Sequence, residues 1–284
     1  MTTTDREAIA DRSNPLGIEG IEFIEYSTTK PQALGHVLEL IGFKPVARHR
    51  SREVLLYRQG GMNIVVNAHG ATAESPAIAA LALRVRDAGA AFAHAIDRGA
   101  WAVPTQVQPM ELHIPGVHGV GASRIYFVDR WREFSIYDVD FVPIPTVDPK
   151  PPALGGLHWF GVVQYIGADR MEDWTEFYRE LFGFTALPDE QRFGVMPKGR
   201  VLRSPCGSFY LQLIEPELDA LESAGDEVLH RIGFGTADVP AAVRDWQTRG
   251  VQFVESAIVK SNARGAITQP VLGGVTFELV HSEP

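Results

Sequence analysis

Cysteine is almost absent from this chain of 284 residues, in which Cys206 is the one cysteine. No intrachain disulfide can therefore form, and a reducing compartment such as the cytoplasm is the expected location. Apolar runs are short, and none reaches the about 18 residues that a membrane-spanning helix needs. Positive charge is also scarce, and a formal net charge of -9 argues against non-specific binding to nucleic acid, which requires a basic face.

The remaining composition is that of an ordinary globular protein, with 45% apolar and 21% charged residues. The chain begins MTTTDREAIADRSNP, which is polar and lacks the apolar core of a signal peptide. We expect residues 1–17 to form a disordered leader. The first predicted strand then starts at Ile18.

The chain contains an internal duplication. ELIGFKPV in the first half matches ELFGFTAL in the second, and DAGAAFAHAIDRGAWAV matches DVPAAVRDWQTRGVQFV. Each half therefore consists of two strand–helix–strand–strand–strand (βαβββ) units. Between the halves, PIPTVDPKPPALGG is rich in proline and predicts a linker over 143–156. The predicted fold is α+β, with tandem open barrels at 18–142 and 157–284, and a half-open barrel leaves a cavity for a ligand.

Two polar residues stand out in apolar strands of the second half. Glu278 lies in GGVTFELV, where alternation places it on one face with Thr276 and Val280. His230 lies at the start of the apolar strand in VLHRIGFGTADV. A histidine and a glutamate from separate strands of one concave sheet can form a divalent-metal site. The alternative is a salt-bridged glutamate and a core histidine, since a buried carboxylate needs a partner.

Several long segments resemble the 4-hydroxyphenylpyruvate dioxygenase family of the vicinal oxygen chelate superfamily. In the first half these are EFIEYS, GFKPVARHRSREVLLYRQGGMNIVVNA, PMELHIPGVHGVGASRIYFVDR and IYDVDFV. In the second half they are DRMEDWTEFYRELFGF, GDEVLHRIGFGTADV and GGVTFELV. The resemblance implies a metal-free first barrel and a second barrel that binds Fe(II) through two histidines and one carboxylate.

Carried over by position, the resemblance makes His230 the second histidine ligand and Glu278 the carboxylate ligand. Alignment without a gap places Gly161 at the position of the first histidine. His158, three residues earlier, is the candidate replacement, although three residues along a strand reverse the face of a side chain. Gln164, three residues later, offers an amide oxygen. A two-residue site completed by water, or a barrel without metal, stays open.

The expected substrate contacts are glutamines. Gln164, Gln212 and Gln269 are the candidates, whereas the family's substrate-contacting asparagine corresponds to Ile214. The printed chain ends six residues after Glu278, without the family's closing C-terminal helix. We therefore expect a more open cavity, or one that a partner chain covers, and a homo-oligomer.

Three functions follow from this reading. The first is an Fe(II)-dependent dioxygenase that uses dioxygen on an aromatic 2-oxo acid, as in the catabolism of aromatic amino acids. The second is a lyase or isomerase whose manganese, cobalt or magnesium ion acts as a Lewis acid. The third is a metal-free protein that binds a small molecule, which Gly161 favours. No nucleic-acid or membrane partner is expected.

Overall fold

The computed structural model describes residues 13–104, 112–188, 190–191, 193–195, 198–216, 226–256 and 259–283. Residues 1–12 of the expected leader lie outside this part. Residues 13–17 were expected to be disordered, and this is wrong. The Asn14 side chain bonds the backbone of Ile18 at both the amide and the carbonyl, at 2.7 and 2.9 Å. Leu16 is buried in the core, so the ordered chain starts before the first strand.

The described residues of the first half form eight strands and three helices. They are β1 (Ile18–Ser27), α1 (Pro31–Leu40), β2 (Lys44–His49), β3 (Val54–Gln59), β4 (Met62–Asn67), β5 (Ala77–Val85), α2 (Ala88–Asp97), β6 (Gly116–His118), β7 (Arg124–Val128), α3 (Ile136–Asp140) and β8 (Phe141–Pro143). A short 3₁₀ turn, Val120–Ala122, precedes β7.

The described residues of the second half form seven strands and two helices. They are β9 (His158–Tyr165), α4 (Met171–Phe182), β10 (Thr185–Ala186), β11 (Arg200–Arg203), β12 (Tyr210–Ile214), β13 (Val228–Thr236), α5 (Val239–Thr248), β14 (Gly265–Ile267) and β15 (Phe277–His281).

The two halves repeat one topology. In the first, antiparallel β1 and β5 are flanked by β4 and β7, each parallel to its neighbour. In the second, antiparallel β9 and β13 are flanked in the same way by β12 and β15. The central strands β5 and β13 meet at Ile78 and Leu229, which joins the halves into one curved mixed sheet. The predicted α+β fold of tandem open barrels is confirmed.

The predicted strand pattern is reduced in the second unit of each half. The first strand after α2 is only an isolated bridge at Ala102, and the first strand after α5 is an isolated bridge at Phe253. These two residues occupy equivalent places in the aligned repeats. The duplication is therefore visible even where the units depart from βαβββ.

Helix α4 shows why the helices pack on one face of the sheet. Its buried residues Thr175, Tyr178, Leu181 and Phe182 recur at helical spacing, while its other faces carry charged side chains. Gly183 ends the helix with a left-handed φ of 77°, a conformation that glycine adopts without strain. The buried residues of α1, α2, α4 and α5 pack into one apolar core on the convex face, whereas α3 packs against a smaller cluster on the concave face of the first half.

The segment 143–156 packs against the first half. Gly60 donates its amide to the Pro151 carbonyl at 2.8 Å, and the Leu154 amide donates to the Gln59 side chain at 3.0 Å. A 3₁₀ turn at Leu154–Gly156 then leads into β9. Within the described residues, none of the helices has the length and apolar character required to span a membrane.

Candidate functional site

Glu278 lies on β15, between β13 and β14 in the second barrel's sheet. Strand β15 runs parallel to β13, with Glu278 opposite Gly233, and antiparallel to β14, with Glu278 opposite Ile267. The residue is only 4% exposed. A carboxylate at such a depth requires a cation or hydrogen-bond donors, because burial of an unpaired charge is costly.

Arg231 supplies that cation. Its Nε donates to Glu278 Oε2 at 2.8 Å, and the two side chains are 2% and 5% exposed. Arg231 lies two residues before Gly233 on β13, so alternation places it on the same face as the residue opposite Glu278. Its Nη2 atom is buried without a hydrogen-bond partner in the described structure. The glutamate is therefore neutralised by a side chain of its own barrel.

His230 does not share this arrangement. The register of β13 against β9 shifts between Leu229 and Arg231, which makes His230 a bulge residue. Its ring stacks on Tyr165 with centroids 4.2 Å apart. Burial, with a smaller effect of the adjacent Arg231 charge, lowers the pKa of His230 to about 4. The imidazole is therefore neutral near pH 7 and packs as an aromatic ring.

Gly161 is fixed by the backbone around it. It lies opposite Tyr210 on β12 and opposite Gly233 on β13. A Cβ atom at this position would overlap the Tyr210 carbonyl oxygen, and the φ of 158° disfavours a side chain. The position that the resemblance assigns to a histidine therefore has no room for one in this backbone.

Phe160 fills the space beside that glycine. A second register shift, between Gly233 and Phe234, interrupts the regular pairing of β13 with β9 at this point. The Phe160 ring stacks on Tyr210 at 4.9 Å and contacts Phe193 edge-on at 5.1 Å. A Cβ atom added at Gly233 would lie 3.3 Å from the Phe160 Cδ1 atom, so the ring occupies the space next to that glycine. The Phe160 ring thus occupies the concave face next to Gly161 and Gly233.

His158 lies further along the strand. It pairs with Gly235, and its ring lies directly over that glycine. Its Nδ1 faces the Gly156 carbonyl at 3.2 Å, and its Nε2 faces the Ser282 hydroxyl at 3.4 Å. Both nitrogens therefore have local partners, and neither ring nitrogen is paired with Glu278.

The expected metal ligands do not form a metal-binding group. Among the described residues, no cluster of three or more His, Cys, Asp or Glu side chains is arranged to hold a metal ion. The carboxylate of Glu278 is paired with a guanidinium, and Gly161 offers no donor. The donor set of the second barrel does not fit an iron centre, and the prediction of His230, Glu278 and His158 as its ligands is not supported by their placement.

The three candidate glutamines lie in different places. Gln164 is fully buried and accepts a hydrogen bond from the Tyr178 hydroxyl at 2.8 Å, which directs it at helix α4. Gln269 bonds the Phe253 carbonyl at 3.4 Å and lines a separate surface cavity. Only Gln212 lines the same cavity as Glu278. Of the three candidates, the structure therefore brings Gln212 together with Glu278, and a role in substrate binding stays a prediction for each of them.

The cavity at Glu278 is small, at about 30 Å³. Phe160, Phe193, Tyr210, Gln212 and Glu278 are among its lining residues. A wider groove of about 540 Å³ lies outside it and shares the walls Leu187, Gln191, Phe193 and Tyr210. Arg203 lines the groove together with Glu190, and Lys198 lines the inner cavity together with Glu278. The site therefore combines aromatic rings with two cationic side chains.

Sequence reasoning missed Arg231, although the strand itself carried the signal. Ile232 and Phe234 are fully buried in the apolar core, so the alternate residues Arg231 and Gly233 face the other side of the sheet. His230 has the parity of the core residues. The alternation of β13 between its two register shifts thus favours Arg231, and not His230, as the neighbour of Glu278.

Two family models match most of the chain. The model described as "Hydroxyphenylpyruvate dioxygenase, HPPD, N-terminal" matches residues 12–142. The model described as "Glyoxalase/Bleomycin resistance protein/Dioxygenase superfamily" matches residues 156–279. The boundary between the two matches falls within the proline-rich segment.

Three named relatives illustrate the range of similar proteins. Hemolysin VllY of Vibrio vulnificus is 34% identical over 272 residues, covering 87% of this chain and 74% of the relative. A 4-hydroxyphenylpyruvate dioxygenase of Pseudomonas aeruginosa is 31% identical over 270 residues, covering 87% and 74%. A 3-dehydroshikimate dehydratase of Pseudomonas aeruginosa is 37% identical over 258 residues, covering 84% of this chain but 40% of the relative. The chain thus spans three quarters or less of these relatives.

A solved structure shows the same fold. It is named a "xylose isomerase-like TIM barrel/4-hydroxyphenylpyruvate dioxygenase fusion protein" and is 27% identical, with a TM-score of 0.72 over 93% of this chain and 49% of that chain. Sheet topology, family models and similarity over most of the chain agree. The chain belongs to the 4-hydroxyphenylpyruvate dioxygenase-like family of the vicinal oxygen chelate superfamily.

Proposed function

We propose that this protein binds an aromatic carboxylic acid at the second barrel without a metal ion. The buried Arg231–Glu278 ion pair is the observation that carries this proposal. It lies where the resemblance implied a carboxylate ligand for iron, and it satisfies the carboxylate with a cation of the chain itself.

The ion pair opposes metal binding through its electrostatics. A divalent cation bound to Glu278 would lie next to the Arg231 guanidinium in a region shielded from water. Like charges repel strongly there, because the effective dielectric constant is low. Releasing Arg231 from Glu278 would leave a guanidinium buried and unpaired, at a cost of about 3–5 kcal/mol.

Aromatic rings replace chelation as the source of affinity. Phe160, Phe193 and Tyr210 form mutual contacts with centroids 4.9–5.1 Å apart. A flat ring in the outer groove can stack on Tyr210 and Phe193, and such aromatic contacts contribute about 0.5–1.5 kcal/mol beyond area burial. Arg203 and Lys198 are placed to attract the carboxylate of the ligand.

Calorimetric titration with 4-hydroxyphenylpyruvate and with phenylacetate, in the presence of EDTA, tests this function. We expect saturable binding that the chelator does not change and that Tyr210→Ala weakens. Arg249→Ala, which alters an exposed ion pair on α5, is the matched control and should leave binding unchanged. Binding that requires added metal, or that ignores Tyr210→Ala, would contradict the proposal.

The second candidate is an Fe(II)-dependent dioxygenase acting on an aromatic 2-oxo acid, which similarity to named dioxygenases favours. It predicts about one equivalent of iron and oxygen uptake with the 2-oxo acid, and neither is expected from the ion-paired site. The named dehydratases favour a lyase in the same way, but this chain spans only 40% of their length. From family membership we also propose dioxygen as a partner, assembly as a homo-oligomer and a cytoplasmic location.

A further inference from the structure

The first barrel contains a larger cavity than the inner cavity at Glu278. Its volume is about 200 Å³, and it lies on the concave face between the sheet and helix α3. Phe23, Val65, Ile136, Tyr137 and Phe141 are among the apolar and aromatic residues that line it. A cavity of this kind suits a single-ring molecule.

Polar side chains form one wall of this cavity. Glu25, only 6% exposed, accepts hydrogen bonds from Arg124 Nη2 at 2.8 Å and Asn67 Nδ2 at 3.0 Å. Both bonds end on Oε1. Within the part of the chain that the structure describes, Oε2 accepts no hydrogen bond from a side chain or backbone group. A carboxylate oxygen beside a cavity is suited to a ligand's N–H or O–H donor.

The described residues of the cavity wall carry both signs of charge. The guanidinium groups of Arg52 and Arg124 line it together with the carboxylates of Glu25 and Asp140. A ligand with only a carboxylate, or only an ammonium, would add an unbalanced charge to this partly enclosed space. A ligand that carries both charges adds no net charge to this space, and each of its charges has an opposite partner.

We propose that the first barrel binds a free α-amino acid with an aromatic side chain. The carboxylate of the ligand contacts the Arg52 and Arg124 guanidinium groups, the ammonium contacts Glu25 Oε2, and the ring packs on the apolar wall. This site is separate from the second barrel and does not depend on the function proposed there.

A set of three probes separates the two charges. L-phenylalanine carries both, 3-phenylpropionate carries only the carboxylate, and 2-phenylethylamine carries only the ammonium. We expect calorimetric titration of the full chain to show saturable binding of L-phenylalanine at millimolar or lower concentration, and binding of the other two at least about tenfold weaker. No binding of L-phenylalanine, or equal binding of 3-phenylpropionate, would overturn the proposal.

Variants locate the binding. Glu25→Gln and the less buried Arg52→Met should each weaken L-phenylalanine binding by at least about tenfold, because each removes a charge-assisted hydrogen bond. Glu22→Gln is the matched control, because the Glu22–Arg84 ion pair, 2.6 Å long, lies in the same barrel but does not line the cavity. An equal loss in Glu22→Gln, or unchanged binding in Arg52→Met, would overturn the site. Tyr210→Ala, which changes the second-barrel site, should leave L-phenylalanine binding unchanged. The two proposals can therefore fail independently of each other.

Discussion

Arg231 Nε donates to Glu278 Oε2 at 2.8 Å inside the second barrel, and both side chains are almost fully buried. The family resemblance implied that this carboxylate would bind iron. The chain's own guanidinium satisfies it instead, and the neighbouring His230 packs on Tyr165. The chemistry expected of this protein therefore depends on how strongly the pair is held.

Substitutions of Arg231 and Glu278 should have strongly non-additive effects on the free energy of unfolding. Arg231→Met and Glu278→Leu each leave one buried charge unpaired, and each should lower the free energy of unfolding by about 3–5 kcal/mol. The double variant replaces both charges with apolar groups and should be more stable than either single variant. Urea denaturation of the four proteins measures the coupling.

An exposed pair provides the control for that cycle. Arg170 and Asp173 lie 2.9 Å apart but are 47% and 67% exposed, so Asp173→Ala should change stability by less than about 1 kcal/mol. If the Arg231 and Glu278 effects simply add, the two residues are not coupled and the structural reading fails.

Two equivalent glycines should differ in tolerance. Gly20 and Gly161 each lie 22 residues before the glycine that follows the next helix, and their φ angles are 147° and 158°. A Cβ at Gly20 has ordinary contacts, so Gly20→Ala should cost about 1–3 kcal/mol through backbone strain.

Gly161→Ala should be more damaging, because its Cβ would overlap the Tyr210 carbonyl oxygen. We expect a loss beyond about 4 kcal/mol, or no soluble folded protein. Thermal unfolding of the two variants makes the comparison. Equal stability of the two would show that β9 and β12 can separate at this position, which would leave room for a side chain there.

The repeated segments made the fold predictable from the sequence. The register shifts of β13 made the arrangement of the site harder to predict. Matched segments around Gly42 and Gly183 fixed the order of units because a duplicated sequence implies a duplicated topology. The bulge that contains His230 depends on pairing between β13 and β9, which are distant in sequence. Alternation alone favoured Arg231 on the concave face, but its contact with Glu278 requires the register of a third strand.

His230 should make stability depend on pH. Its pKa is about 4 in the folded protein against 6.5 as its ordinary value, so the unfolded chain binds more protons between these values. Stability from this residue is therefore complete above about pH 6.5 and is lost as the pH falls towards about 4. With allowance for its partial exposure, the loss is about 2 kcal/mol.

Comparison of His230→Phe with wild type isolates this effect. The variant keeps a ring on Tyr165 but cannot titrate, so its stability should fall less between about pH 7.5 and about pH 4.5. Chemical denaturation at the two values measures the difference. Identical pH dependence in both proteins would mean that His230 is accessible to protons in the folded state.

Gln164 and Gln212 should have different roles, the first in stability and the second in ligand binding. Tyr178→Phe removes the buried hydrogen bond to Gln164 and should cost about 1–3 kcal/mol of stability without changing ligand affinity. Gln212 lines the cavity, so Gln212→Ala should weaken binding of an aromatic acid while altering stability by less than about 1 kcal/mol. Thermal unfolding and calorimetry on both variants distinguish the roles, and an exchange of the two effects would contradict the assignment.

Metal binding by the purified full chain tests the central claim most directly. Anaerobic titration with Fe(II) and with Mn(II), followed by dialysis and elemental analysis, should leave no stoichiometric metal in wild type or in Glu278→Gln. About one equivalent retained by wild type and lost in Glu278→Gln would show that Glu278 leaves Arg231 to bind metal, and would contradict the metal-independent function proposed for the second barrel.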